Sequence, residues 1–250
     1  KGQLVTISSS RSGYLTLTRV SSSGATGALN VAQRTLDGAL LSSRAALYER
    51  TLNGTPRRIS WGQITVASVP ASKISYVGTD LSGAIDIIIL DDVTGDGYTY
   101  GYMKSEEGET VQVPSLDDPS KIEFSYSTYN VVVENSSGKH ELRTLSSNLI
   151  RSTPGGMAAS TDGRVGATVT LTAVNNVPRS AFDVENMTVT VNGVTYPIAQ
   201  GVECYNKAAG SWFGSGADGL NAARAYAATL TIYYDKGPAQ GGKIRLVVVE

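Results

Sequence analysis

The chain has 250 residues, of which 41% are hydrophobic, and sets 21 basic against 22 acidic side chains for a net charge of −1. That composition supplies a core and excludes two classes: disorder, which goes with low hydrophobicity, and electrostatic nucleic-acid binding, which needs a basic excess on some face. One cysteine, Cys204, rules out an intramolecular disulfide and a cysteine-cluster metal site, and one histidine, His140, leaves a single candidate for any His-dependent mechanism.

No run of about 18 apolar residues is present, so no membrane insertion is expected. Lys1-Gly2-Gln3 leads straight into strand-like sequence without the features of a signal peptide. Either a cytoplasmic protein or a piece excised from a longer chain fits, and the excised piece is the expectation.

In chain order, Gly13-Tyr14-Leu15-Thr16-Leu17-Thr18 opens a period-2 alternation that predicts a half-buried strand. Leu36 to Glu49 reads as a weak helix. Ile85 to Leu90 is a continuous apolar run, expected as a strand buried on both faces. The alternation returns at Ile122, Phe124 and Tyr126. Asn135-Ser136-Ser137-Gly138 separates Tyr129–Glu134 from Lys139–Leu145 as a hairpin turn, and Pro154-Gly155-Gly156 reads as a loop or linker.

Asn192-Gly193 lies between Met187–Val191 and Val194–Ile198, the pattern of a type I′ turn, whose two central residues both need positive φ. The best helix is Asp218 to Ala228, with Asp218 as N-cap. A second apolar run, Ile244 to Val249, ends the chain. Many short strands with Gly, Ser and Asn turns predict an all-β fold of tandem small β-barrel or β-sandwich modules with one or two short helices.

The sequence also resembles itself. Gly2–Ile7 is similar to Gly166–Leu171, and Ala45–Arg50 to Gln200–Lys207 around Tyr48 and Tyr205. Ile64 and Ile74 answer Leu220 and Leu230 at the same ten-residue interval, and Gly83–Ile87 answers Gly242–Leu246. The expected organisation is a β module over residues 1–95, a middle β element over 96–163 and a second copy of the module over 164–250.

Two stretches carry a family resemblance: Ile85 to Gly101, with its IDIIILDDVTGDGYTYG pattern, and Leu230–Asp235 followed by Lys243–Val249. Together they resemble the β-rich repeat regions of large clostridial cell-surface proteins that carry S-layer homology domains elsewhere. The resemblance implies surface display and carries over no catalytic residue.

Candidate chemistry is sparse. Gly214-Ser215-Gly216-Ala217-Asp218-Gly219 spells G-x-G-x-x-G, but a dinucleotide site needs a βαβ setting that the surrounding strands do not predict. A flexible loop before a short helix is the preferred reading. Asp92 to Gly97 begins like a calcium loop, yet position twelve is Met103, which cannot ligate the ion. Asp91, Asp92 and Asp96 leave an irregular site open, against an acidic turn ending a buried strand.

No G-x-S-x-G elbow accompanies His140, which reads as a surface residue between Lys139 and Glu141. Carboxylate pairs for glycoside hydrolysis can be drawn from Asp91, Asp92, Glu106, Glu107 and Glu109, with separations the sequence does not fix. Tyr98, Tyr100 and Tyr102, at period two, project from one strand face. They either pack a core or, with Trp61 and Trp212, form an aromatic ligand-binding face.

The function expected is therefore a non-catalytic structural or adhesive module of an extracellular bacterial surface protein, with no enzyme activity, cofactor or metal. Its partners would be neighbouring domains of the same polypeptide, with cell-wall or host polysaccharide as a further partner. The alternative is a carbohydrate-binding module using the aromatic face.

Overall fold

A computed structural model describes residues 5–10, 12–19 and 24–250. The fold is all-β, with one α-helix among the described residues. The chain forms two compact units, one of residues 1–97 with 160–162 and 239–241, the other of 98–159 with 163–238 and 242–250.

Unit one opens with a two-stranded hairpin, β1 (Val5–Ser9) and β2 (Leu15–Arg19). Its main sheet contains β3 (Leu29–Asn30), β4 (Thr35–Leu36), β5 (Ala39–Arg50), β6 (Arg57–Ile59), β7 (Ser68–Val69), β8 (Ile74–Thr79) and β9 (Ile85–Asp91). The order is β7-β3-β4-β5-β9-β8, with β6 also on β5. The expected helix over Leu36–Glu49 is instead β5. Residues with fair helix propensity are overridden by non-local pairing, parallel to β9 and antiparallel to β4 and β6. Leu47, Ile59, Ile64, Ile74, Ile88 and Leu90 close the core.

Unit two begins with β10 (Thr99–Pro114), β11 (Ile122–Asn135), β12 (Gly138–Thr144), β13 (Thr153–Ala159) and β14 (Val165–Thr170), a sheet of order β12-β11-β10-β13-β14. Asn135 faces Gly138 across the expected hairpin turn. The expected linker Pro154-Gly155-Gly156 lies within β13, paired on both sides. Glycine is required there: a Cβ on Gly155 would come within 2.8 Å of the Val169 carbonyl, and one on Gly156 within 2.7 Å of the Tyr100 ring.

The same unit continues with β15 (Thr172–Pro178), β16 (Phe182–Asp183), β17 (Thr188–Val191), β18 (Val194–Asn206), β19 (Ser211–Ser215), α1 (Gly216–Tyr226), β20 (Thr229–Tyr234) and β21 (Ile244–Val249). They form a sheet of order β15-β20-β21-β18-β17-β16, with β19 on β18. The middle element and the second module thus share one compact unit, and β14, starting just past the expected boundary at 163, belongs to the middle sheet.

The two larger sheets correspond strand for strand along β3-β4-β5-β9-β8 and β16-β17-β18-β21-β20, with β6 and β19 in equivalent places. Each has a two-residue turn of positive φ, Asp37-Gly38 and Asn192-Gly193. Each has a central parallel pair with the same slip, Leu41/Ala46 against Ile85/Ile87 and Ile198/Glu203 against Ile244/Leu246. Each slips again at the next strand, at Gly78/Thr79 and at Tyr233/Tyr234. Tyr48 faces Ile89 as Tyr205 faces Val248.

The correspondence has limits. Val165–Thr170 pairs with β13 whereas Val5–Ser9 pairs with β2, so those two stretches do not occupy equivalent places, and residues 2–4 lie outside the described set. Where unit two inserts α1, unit one has only a short 3-10 turn at Trp61–Gln63.

The apolar run Ile244–Val249 is buried along its whole length. The slip at Arg245 reverses its side-chain parity. Ile244, Val247 and Val249 meet Leu220 and Ala223 of α1 in one core, while Leu246 and Val248 face Tyr100 in another. In β9 full burial begins only at Ile88.

Candidate functional site

The tyrosine row at residues 98–102 packs partly into unit two. Tyr100 is buried against Leu171, Leu246 and Val248, with Tyr98 and Tyr102 half-buried beside it. Tyr98 and Tyr100 have ring centres 5.9 Å apart. Tyr102 lies edge-on to Tyr205 at 5.0 Å and to Trp212 at 6.2 Å, and Tyr205 is 4.7 Å from Trp212. Burial, reinforced by Tyr233, Tyr205 and Glu250, pushes the Tyr102 hydroxyl up to about 12. Lys207 and Glu250 pair at 2.6 Å, and Glu250 also acts on Tyr233, whose hydroxyl is raised first by burial.

Of the expected aromatic set, the fold brings together Tyr98, Tyr100, Tyr102 and Trp212. Trp61 does not join them. It belongs to the other unit, half-buried on the core of Leu29 and Ile88, with the Arg34 guanidinium 5.3 Å from its ring centre. The residues missed are Tyr205 and Tyr233. Both sit at alternating positions of strands flanking β21, and the Tyr48/Tyr205 match was the available signal.

Behind Tyr100 lies a buried ion pair. Arg245 Nε and Nη2 each stand 2.8 Å from Asp235 Oδ2, and the Tyr100 hydroxyl donates to the same oxygen at 3.2 Å. The other oxygen accepts from the backbone N–H of Lys236 at 2.9 Å and of Lys243 at 2.8 Å. The Arg245 guanidinium also lies 4.8 Å from the Tyr100 ring centre, a cation–π contact. This carboxylate is engaged on both oxygens and clamps the β20–β21 connection.

Comparison with family models, with curated proteins and with solved structures finds no match.

Several of the remaining candidates are tied into the framework. Glu49, fully buried, accepts from the Thr94 backbone N–H and hydroxyl and pairs with Arg57 at 3.3 Å. Asp91 pairs with Arg50 at 2.7 Å, and Asp96 accepts from Gln63 at 3.1 Å. The Asp92–Gly97 loop, turned by positive φ at Asp92 and Gly95, is tied to β5 through Glu49. Among the described residues no group of three His, Cys, Asp or Glu is placed to hold a metal.

Glu106 bridges Lys104 and Lys139 at 3.0 and 2.8 Å, and these bonds, Lys139 first, hold its carboxyl below the usual range. Glu107 and Glu109 are exposed. His140 Nε2 lies 2.8 Å from the Ser137 hydroxyl and 3.2 Å from the Asn135 side-chain oxygen, inside the hairpin turn. Cys204 is buried, and desolvation raises its thiol to about 12, removing it as a nucleophile.

In the G-x-G-x-x-G stretch a strand does lead into a helix, but β19 pairs antiparallel with β18 and β20 antiparallel with β21, so no βαβ unit forms. The N-cap is Ser215, and Asp218 sits in the first turn, where its charge suits the helix dipole. The glycines allow close packing: a Cβ on Gly219 would lie 2.6 Å from the Gly214 carbonyl.

Proposed function

We propose that the chain is a non-catalytic structural or adhesive module of an extracellular bacterial surface protein, built by duplication of one β unit. The observation that carries this reading is the shared register of the two sheets, with the same slip at the parallel pair in each. The polar residues also favour it, since the buried carboxylates Glu49, Asp235 and Glu203 accept bonds that tie loops to strands. Function then resides in stability and shape, and the partners are neighbouring domains of the parent polypeptide. The resemblance to S-layer-associated repeat regions supports the same compartment.

A second reading has its own support. Tyr102, Tyr205, Trp212 and Tyr233 stay partly exposed as a group, beside the Lys207–Glu250 pair, and flat rings of this kind stack on sugars. A polysaccharide array and a panel of glycosides and esters test both. The structural reading expects neither binding nor turnover. Saturable glycan binding that disappears in Tyr102→Ala/Trp212→Ala with the fold intact transfers the conclusion to the second reading. Turnover of any substrate overturns both.

A further inference from the structure

The hairpin that opens unit one has a counterpart in unit two. Residues 10–14 join β1 to β2 and residues 160–164 join β13 to β14, closed by the pairs Ser9/Leu15 and Ala159/Val165. Both connections carry glycine at the fourth place, Gly13 with φ of 81° and Gly163 with φ of 82°, each with open space where a Cβ would stand. In both, the serine at the first place meets the residue two further on. The Ser10 hydroxyl lies 2.9 Å from that of Ser12, and the Ser160 hydroxyl donates to the Asp162 carboxylate. Each hairpin precedes its larger sheet, where Leu29 faces Leu36 in one copy and Phe182 faces Val189 in the other. The duplicated unit therefore starts at β1 and at β13, and β10–β12 lies between the copies.

The copies differ in what lies on the hairpin. On its far side β13 pairs with β10, from Thr99/Met157 to Met103/Thr153, and β10 carries β11 and β12. Counted from the closing pair, with the bulge at Ala158/Ala159 allowed for, Ile7/Leu17 matches Met157/Thr168, and Leu15 matches Val165. Met157 is 3% exposed in a core with Met103, Val131 and Val133, and Val165 packs against it. Ile7 is 67% exposed and Leu15 71%. Among the described residues β1 pairs only with β2. A two-stranded ribbon alone is marginally stable, and an unpaired strand edge is a template for a further strand.

We propose that β1 is an acceptor edge for strand addition. Its occupant is a three-stranded β element of the β10–β12 kind, from the adjoining module of the parent polypeptide. The first strand of that element pairs antiparallel with β1, as β10 pairs with β13, and buries Ile7 and Leu15. This rests on the duplication put forward above and names the neighbouring domain that the structural reading calls for. One position sets the specificity. A Cβ on Gly156 would come within 2.7 Å of the Tyr100 ring, and the matching place in β1 holds Thr6. The strand that β1 accepts therefore has a small residue where β10 has Tyr100.

The test repeats residues 92–152 ahead of residue 3, the place that matches Thr153, in the 250-residue chain. The added copy alone carries Tyr100→Ala, and Ile7→Cys serves as reporter. Cys204 is buried and does not compete for the thiol reagent. Labelling at position 7 should be at least ~10-fold slower in the extended chain than in the unextended one, with the amides of residues 5–9 protected from hydrogen exchange. Gly101→Pro in the added copy breaks the pairing strand and should restore the faster rate. Equal rates in the two chains overturn the proposal, whether or not the added strands are themselves protected, because β10–β12 folds on the equivalent edge in unit two. Slow labelling of the unextended chain overturns it too, since the edge would then be covered already. So does slowing that survives Gly101→Pro. Each of these failures leaves the shared register of the two sheets, and the structural reading built on it, standing.

Discussion

The Arg245 guanidinium meets the Asp235 carboxylate at 2.8 Å with both side chains almost out of water, at 3% and 4% exposure. Arg245 lies at the slip where β21 changes parity, and Asp235 lies just past the end of β20. The pair therefore fixes the register of the central strand and the course of the loop that precedes it.

Removing one partner from such a pair leaves a buried charge without the group that compensated it. Asp235→Ala should cost about 3 kcal/mol or more. Asp235→Leu/Arg245→Leu should cost less than the sum of the single Leu variants by at least about 1 kcal/mol, because the desolvation penalty of both charges is removed together. Urea denaturation of the four proteins measures the coupling. Strict additivity would show that the pair contributes nothing as a pair.

Gly101 occupies a position that no other residue fits. Its φ is 159°, and a Cβ there would lie 2.1 Å from the Glu134 carbonyl oxygen of the adjacent strand. That obstacle is backbone, paired in the β10–β11 ladder, and cannot rotate away. Gly101→Ala should therefore destabilise unit two by about 3 kcal/mol or more, beyond what a surface substitution costs. Gly163→Ala, with positive φ and open space around it, is the control for backbone conformation alone. Equal losses in thermal midpoint for the two would refute the steric argument.

How much of this was legible in the sequence depended on the range of the interaction. Asn192-Gly193 and the Asn135–Gly138 hairpin are local, and their residues announce them. The side-chain period of the tyrosine row is local too, and it placed Tyr98, Tyr100 and Tyr102 on one face. What lay beyond the sequence was long-range. Ala39–Arg50 has no strand signature of its own and becomes one through β9, some forty residues on. Trp61 and Trp212 look alike in composition but belong to different units. The Asp235–Arg245 pair depends on a register slip, which no periodicity reveals because it is a break in periodicity.

Cys204 and Tyr102 predict alkaline lability. Burial raises the thiol from its ordinary 9.0 to about 12 and the phenol from 10.0 to about 12. Both protons are thus held more tightly in the folded chain than in the unfolded one. Below pH ~9 both states keep them and these groups give no pH dependence. Between about 9 and about 12 the unfolded chain sheds protons that the folded chain retains, so stability falls as pH rises. Denaturation midpoints should hold steady up to pH ~9 and drop beyond it, with the drop reduced in Cys204→Ala. Native protein should also resist thiol-directed alkylation at neutral pH and react once unfolded. Rapid labelling of the native state would contradict the burial of Cys204.

The paired turns offer a comparison between the two units. Gly38 and Gly193 have φ of 79° and 76°, and a Cβ on either would meet nothing within 4 Å. Alanine at these sites therefore meets only the intrinsic cost of the left-handed conformation, about 1–2 kcal/mol. Because the preceding residues, Asp37 and Asn192, both have φ of 50°, the backbone demand is the same in each unit. Gly38→Ala and Gly193→Ala should lower stability by similar amounts, and a β-branched residue at position 192, as in Asn192→Val, should cost at least as much as Gly193→Ala. Calorimetry on each variant reads the loss directly. A neutral Gly193→Ala would mean that the β17–β18 turn is not of the type I′ class, and the register of β18 against β21 would then lose its local anchor.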